Sequence, residues 1–266
     1  MSVLPTQKTK KKTDNPKNLI LFGLPKVGKT TAVSKLPHSL VIDLENGSDY
    51  IDDCYAVKAS NYKELWKVAR ALSPVWKGKQ NENYEEHDYQ FIILDTVTAL
   101  EDMANQYAIK LYQDTPMGRN YDGDNILNLP NGAGYYYLRI AVQKMIEWFD
   151  NAAPNIILLG HVKDKNLTEG GTELNVKTLD LGGKLSSILS ANSDGIGYLY
   201  RDVETGSLMA NFGDMNSVLC GCRVPHLAGK TVELAERVVK ENGDYDIITY
   251  WDRIYPSLKE ENVKAS

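Results

Sequence analysis

Cysteine is scarce, basic residues do not outnumber acidic ones, and no long apolar run interrupts the 266 residues. Each shortage excludes a class of protein. The three cysteines, Cys54, Cys220 and Cys222, form an odd, sparse set that offers no disulfide framework, so a reducing cytoplasmic compartment is expected. Cys220, Cys222 and His226 make a C-x-C-x-x-x-H group, but structural zinc takes four ligands and no fourth stands at finger-like spacing. No stretch approaches the roughly 18 apolar residues that span a bilayer, and the first 17 residues lack the apolar centre of a signal peptide. No membrane partner is expected. With 30 basic against 35 acidic residues, net charge -5, a globally basic nucleic-acid coat is excluded, though a narrow basic groove or tail is not.

What positive charge there is clusters at the start. KTKKKTDNPK carries Lys8, Lys10, Lys11, Lys12 and Lys17 against one aspartate, and residues 1–17 read as a disordered basic arm. After it, short apolar runs recur between polar or helical stretches: NLILF (18–22), LVIDL (40–44), FIILD (91–95) and NIILLG (155–160). Runs so continuously apolar are strands buried on both faces, the mark of a parallel sheet covered by helices. The class is therefore α/β, one core with a mostly parallel twisted sheet and helices on both faces.

GIGYLYRD (195–202) reads as a fifth strand, turned by Glu204, Thr205 and Gly206 into SLMANF (207–212), an antiparallel hairpin. NYKELWKVARAL (61–72) and YLRIAVQKMIEWFDNA (137–152) carry apolar residues at helical spacing and read as covering helices. Three regions break the alternation. Residues 105–136 and 163–181 read as long functional loops, and 73–90 as a surface insertion without chemistry. The expected division is an arm (1–17), a core (18–212) and an extension (213–266). In the extension CRVPHLAGKTVELAERVVK reads as a loop and short helix, and Trp251 and Tyr255 pack on the core or on a neighbouring subunit.

The chemistry is concentrated in GLPKVGKT: Gly23, Leu24, Pro25, Lys26, Val27, Gly28, Lys29 and Thr30, followed by Thr31. An apolar strand precedes it and a plausible helix follows, the context that makes G-x-x-x-x-G-K-T a phosphate cradle. The bare pattern arises by chance in roughly one chain in a hundred of this length, before the flanking elements are required. The two glycines let successive N–H groups point at phosphates, and Lys29 bridges β- and γ-phosphate oxygens. Thr30 offers a hydroxyl to Mg²⁺ and Asp95, ending its apolar strand, holds the metal through water, so ATP and Mg²⁺ are the expected cofactors. Thr96 follows Asp95, so the Asp-Glu pair by which many ring ATPases place their base is missing. Glu45, just beyond the carboxyl end of the second strand, takes that role or is a plain loop glutamate.

VIDLENGSD resembles the stretch of RecA-like recombinases in which a strand ends in aspartate, here Asp43, with the catalytic glutamate two residues on, Glu45, and an aspartate four further on that reaches adenine, Asp49. The order continues over residues 18–212: P-loop, Glu-bearing strand, Asp95 then Thr96, a loop, a helix, a strand with a polar switch residue, a second loop, then GGKLSSILSANSDGIGYLYR. The segment GHVKDK (160–165) is similar to the small phage-encoded, AAA-domain RecA-like ATPases associated with single-strand annealing, with a host-cytoplasmic setting. That resemblance implies His161 as γ-phosphate sensor; a lone histidine at a strand end is the plainer alternative. It also implies a basic residue inserted into a neighbour's ATP site, with Lys184 the candidate and Arg201 or Arg223 as substitutes.

Three functions stay open at this point. One is an ATPase assembling as a ring or filament on single-stranded DNA in recombination, replication or repair. Arg119 and Tyr121 of the first loop, with Lys163, Lys165 and Lys177 of the second, would then meet the strand. The second is a nucleotide-dependent switch or assembly ATPase without DNA. The third, a small-molecule kinase, is disfavoured by the shortage of arginines for a lid, Arg119 alone standing in a candidate lid region.

Overall fold

The computed structural model describes residues 13–169, 172–213, 217–240 and 242–259. Lys8, Lys10, Lys11 and Lys12 of the expected arm lie outside them. Lys17 lies inside, its backbone N–H donating to Asp194 Oδ2 at 2.8 Å.

Five short or long apolar runs and one exposed edge build a parallel sheet. Its strands are β1 (Asn18–Gly23), β2 (Ser39–Asp43), β3 (Ala56–Lys58), β6 (Phe91–Asp95), β7 (Asn155–Glu169) and β9 (Gly195–Arg201), with β4 (Val75–Trp76) and β5 (Lys79–Gln80) forming a separate small hairpin. The spatial order β3-β2-β6-β7-β1-β9 is parallel throughout. Beyond β9 the direction reverses: β10 (Leu208–Asn211), β12 (Thr231–Val239) and β13 (Tyr245–Thr249) continue the sheet antiparallel. β8 (Thr172–Leu179) and β11 (Gly221–Cys222) pair with β7 and β9 off this path. The sheet is thus mostly parallel with an antiparallel C-terminal end.

Alternation decides which residue serves which face. Ile20, Phe22, Ile42, Ile92, Leu94, Ile156 and Leu158 pack under α2 (Tyr62–Leu72), α3 (Val97–Gln113), α4 (Ala133–Glu147) and α5 (Leu185–Asn192). Leu19, Leu21, Val41, Ile93, Ile157 and Leu159 face the other way, onto the short α1 (Lys29–Ser34) and onto Trp251, Ile254, Tyr255 and Leu258. So the second face carries one six-residue helix, and the C-terminal segment covers what that helix cannot. Trp251 and Tyr255 are buried against the chain's own body, and the Trp251 indole N–H donates to Ala32 O at 2.8 Å.

Three expectations are corrected. Residues 163–181 are no loop: β7 runs on to Glu169 and pairs with β8 antiparallel, Val162 opposite Leu179. Beyond Val162 this hairpin runs past the ladder with β1 and β6, so Asp164, Lys165 and Asn166 are exposed, and burial is confined to Val176, Thr178 and Leu179 near the base of β8. Residues 105–136 are a loop only in part, because α3 continues to Gln113 and α4 begins at Ala133, leaving a connection of 114–132. VELAERVVK is not helical but the strand β12: its helix-favouring Ala, Glu and Arg are overruled by burial of Leu234 and Ala235 beside β10. The 73–90 insertion is tied to α2 by the buried Asn81, whose amide donates to Arg70 O at 2.6 Å and Ser73 O at 2.7 Å.

Candidate nucleotide and metal site

The cradle sits at the carboxyl end of β1, the strand between β7 and β9, so three strand ends converge there. Gly23 is required by packing, since a Cβ would fall 2.5 Å from the Leu199 carbonyl oxygen of β9. Gly28 is required by conformation, with φ at 110°. Beside it the Arg201 guanidinium leans in from β9, its Nε–H donating to Val27 O at 2.9 Å and Nη1 to Gly206 O at 3.0 Å. Leu24, Pro25, Lys26 and Val27 form the turn between β1 and α1, closed by Val27 N–H donating to Leu24 O at 3.3 Å. Thr31 follows Thr30 in α1.

Lys29 is 6% exposed and curls back into the loop, its ammonium donating to Gly23 O at 3.2 Å and Leu24 O at 3.0 Å. Burial lowers its pKa from the ordinary value, against the pull of the Asp95 and Glu45 carboxylates. Next along α1, the Thr30 hydroxyl donates to Asp95 Oδ2 at 2.6 Å. Asp95 is buried, and desolvation raises its pKa to about 6, the Thr30 bond working the other way and the Glu45 charge adding to the rise. A hydroxyl and a carboxylate in contact are two hard oxygen donors, a set that suits Mg²⁺ and no soft metal. The Asp95–Thr96 peptide is cis.

Glu45 is aimed by its neighbours. The Asp43 carboxylate accepts backbone N–H bonds from Glu45 (3.0 Å), Gly47 (3.2 Å) and Ser48 (2.9 Å), and the Ser48 hydroxyl at 2.5 Å. Burial pushes the Asp43 carboxyl up, but these bonds from Ser48, Glu45 and Gly47 outweigh it and hold it below the usual range. They fold 45–48 into a tight loop over Thr30, and Glu45 Oε1 then accepts from the Thr96 hydroxyl at 2.5 Å. The Thr96 oxygen also accepts the Ala99 N–H that caps α3, so this hydroxyl donates and accepts at once. His161 completes the group: Nε2 lies 3.1 and 3.2 Å from the two Glu45 oxygens and Nδ1 3.5 Å from the Lys29 ammonium. One tautomer satisfies both contacts, with Nε2 donating to the carboxylate and Nδ1 accepting from the lysine.

The structure therefore gathers Lys29, Thr30, Glu45, Asp95 and His161 in one connected set. It does not gather the other two. Asp49 pairs with Lys58 on the exposed turn Gly47–Tyr50, and Lys184 stands at the N-cap of α5 beside Glu101 and Tyr135. Arg223 is engaged with Asp194 and with Ala191 O. The clasp of Arg201 on the loop, the Asp43 clamp and the Thr96 bond were missed as functional contacts. The adjacency of β9 to β1, which brings Arg201 in, has no local sequence signal. Cys220 and Cys222 spend their sulfurs on Gly213 O and Asp194 O, and the His226 ring meets Ile254 O at 3.0 Å.

Residues 15–234 match a family model described as the AAA domain. No curated protein matches the chain. Among solved structures the chain is similar to the RadB recombinase at 13% identity, covering 89% of this chain and 92% of that one, with a TM-score of 0.42. It is similar to a KaiC-like protein of Pyrococcus horikoshii at 11% identity, covering 90% of each chain, with a TM-score of 0.39. The flagellar accessory protein FlaH of Methanocaldococcus jannaschii is similar at 11% identity, covering 90% and 91%, with a TM-score of 0.39.

Proposed function

We propose that this chain, which belongs to the AAA domain family, is a Mg²⁺-dependent ATPase of the RecA-like kind that acts on single-stranded DNA. The observation that carries the ATPase reading is the connected set of Lys29, Glu45, His161 and the Thr30–Asp95 pair. Lys29 swings from the Gly23 and Leu24 carbonyls to the β- and γ-phosphates, and the loop N–H groups cradle the remaining oxygens. Thr30 and Asp95 would hold Mg²⁺, which would supply neutralisation of the phosphate charge. Glu45 accepts the proton of the attacking water as its oxygen bonds to the γ-phosphorus and the bond to ADP breaks. Thr96 and His161 keep that carboxylate aimed. His161 touches both the base and the lysine, so arrival of the γ-phosphate at Lys29 is transmitted to Glu45, the sense in which it reads the nucleotide.

Asp49, freed from Lys58, is the proposed contact to adenine, and Lys184 the proposed cation completing a neighbour's site in a ring or filament. The sequence resemblance to phage single-strand annealing ATPases sets the role in recombination, replication or repair. One observation favours a switch or assembly ATPase without DNA: Lys163 is engaged by Asp180 at 3.2 Å and Lys177 by Asp164 at 3.3 Å, so two loop cations are already neutralised. ATP hydrolysis with and without single-stranded DNA, in wild type and Glu45→Gln, separates the readings. Stimulation by DNA, and loss of about 10²-fold or more in Glu45→Gln with ATP still bound, is the expected result. Undiminished hydrolysis in Glu45→Gln removes the assigned base, and hydrolysis indifferent to DNA leaves the switch.

A further inference from the structure

Away from the nucleotide site, α2, α3, α4 and the β4–β5 hairpin enclose a groove of about 650 Å³. Its wall is aromatic: Tyr62, Trp66, Trp76, Tyr107 and Trp148. Three of the chain's four tryptophans are spent here, while the fourth, Trp251, is core. The rings are half-buried and fall into two groups, and the Arg70 guanidinium lies over the Trp66 ring at 4.7 Å. Tyr62 stacks on Tyr107 at 5.4 Å and 30°, Tyr107 leans on Trp148 at 5.2 Å, and Trp66 meets Trp76 edge-on at 6.0 Å.

The rim is cationic. Lys63 and Lys67 on α2, Lys77 on the hairpin, Lys110 on α3 and Lys144 on α4 are all exposed, and Glu147 is the single carboxylate of the lining. Among the described residues, only Lys110 of these lysines is ion-paired, with Asp114 at 3.8 Å. The chain as a whole carries more acid than base, so five lysines against one glutamate is a local reversal of sign. On each helix the spacing repeats. Tyr62 and Trp66 run beside Lys63 and Lys67 on α2, Tyr107 lies three residues before Lys110 on α3, and Lys144 four before Trp148 at the end of α4. Three- and four-residue spacing places Trp66 with Lys63, Tyr107 with Lys110 and Trp148 with Lys144 on shared helix surfaces.

We propose that this groove seats single-stranded nucleic acid. Lysines alone would serve any polyanion, but planar rings interleaved with cations match bases that stack and phosphates that pair, without sequence choice. The proposal rests on the DNA reading above and moves the main strand contact from the hairpin, where Lys163 and Lys177 are already paired with aspartates, to the helical face.

The test uses the whole nucleotide-free protein and a fluorescein-labelled oligothymidylate of about 20 nucleotides, a length exceeding ordinary single-strand site sizes. Anisotropy gives affinity, and intrinsic tryptophan quenching reports stacking. The variants are Lys63→Glu/Lys67→Glu/Lys144→Glu in the groove, the same three changed to Arg, and Lys163→Glu/Lys165→Glu on the hairpin; thermal melting and binding of a fluorescent ATP analogue verify folding. We expect quenching in wild type and binding at least tenfold weaker in the groove reversal, with rescue by arginine. The log–log salt slope should fall by about 2, the share of three phosphate contacts on a single strand. Trp76→Phe should keep binding while reducing the quench. Equal binding by wild type and groove reversal, with loss in the hairpin variant, overturns the groove and leaves the DNA reading standing. Absence of strand binding in wild type removes both. Displacement of the strand by polyglutamate at equal charge, with no quenching, makes the groove an acidic-peptide site and also overturns the proposal.

Discussion

His161 Nε2 lies 3.1 Å from Glu45 Oε1, across 116 residues of sequence and from a different strand. The pair closes a path Lys29–His161–Glu45–Thr96 in which every contact uses one ring nitrogen or one carboxylate oxygen, so removing the ring releases the glutamate at one end and the lysine at the other. His161→Ala should therefore lower kcat by about 10- to 100-fold, the usual effect of losing a partner that orients a working group, with a smaller change in KM. Steady-state ATPase kinetics decide it. A change in KM alone would make the ring a binding contact only.

Lys29 is almost wholly enclosed, held by two carbonyls rather than by a bonded carboxylate. Lys29→Met should reduce turnover by about 10³-fold or more, because the cation on the transferring phosphoryl group is lost. Without nucleotide the same protein should melt no lower than wild type, since enclosing that ammonium costs desolvation that an apolar chain avoids. Calorimetry in buffer and with Mg-ATP checks both statements; a markedly lower melting point would mean the ammonium is structurally required.

Asp95 should give the nucleotide-free protein an unusual pH dependence. Its folded pKa, raised to about 6 by desolvation, lies above the unfolded value near 3.8, so the folded state holds the proton more tightly. The stabilisation is complete below about pH 4 and is lost as pH rises through 6, a contribution of about 3 kcal/mol at most. Asp95→Asn should flatten the wild-type stability curve between pH 4 and 6, measured by denaturant titration in chelator. A wild-type curve with the same shape as the variant's would show that Asp95 is ionised in the fold throughout.

Arg201 reaches the loop with two divergent donors, one to Val27 O and one to Gly206 O. Arg201→Ala should weaken nucleotide binding by about tenfold through loss of one charged hydrogen bond on the loop. Arg201→Lys should not restore it, because a single ammonium on a flexible stem does not hold two directions at once. Equilibrium titration with a fluorescent ATP analogue separates the three proteins, and full affinity in Arg201→Ala would make the clasp incidental.

The parts of this molecule that were legible are those where local pattern and tertiary role agree. LVIDL and FIILD are buried on both faces and read as such; Asn61 caps α2 where the helical spacing begins. GLPKVGKT identifies itself because its glycines, lysine and threonine stand at the spacing of a phosphate cradle between an apolar strand and a helix. The β7–β8 hairpin stayed hidden because its exposed residues have no apolar side, and β12 because its composition favours the wrong element. The Arg201 clasp and the Lys29–His161–Glu45 path stayed hidden for another reason. They are made by strand order, which puts β7 and β9 on either side of β1, and strand order is a property of the whole sheet.

The Trp251 indole that bonds Ala32 O has a consequence for synthesis. The side chain that bonds α1 is made 219 residues after the carbonyl it meets. On the ribosome, then, a nascent chain holds α1 long before its cover exists, and this face of the sheet closes only when the late strands and Trp251 fold back over it.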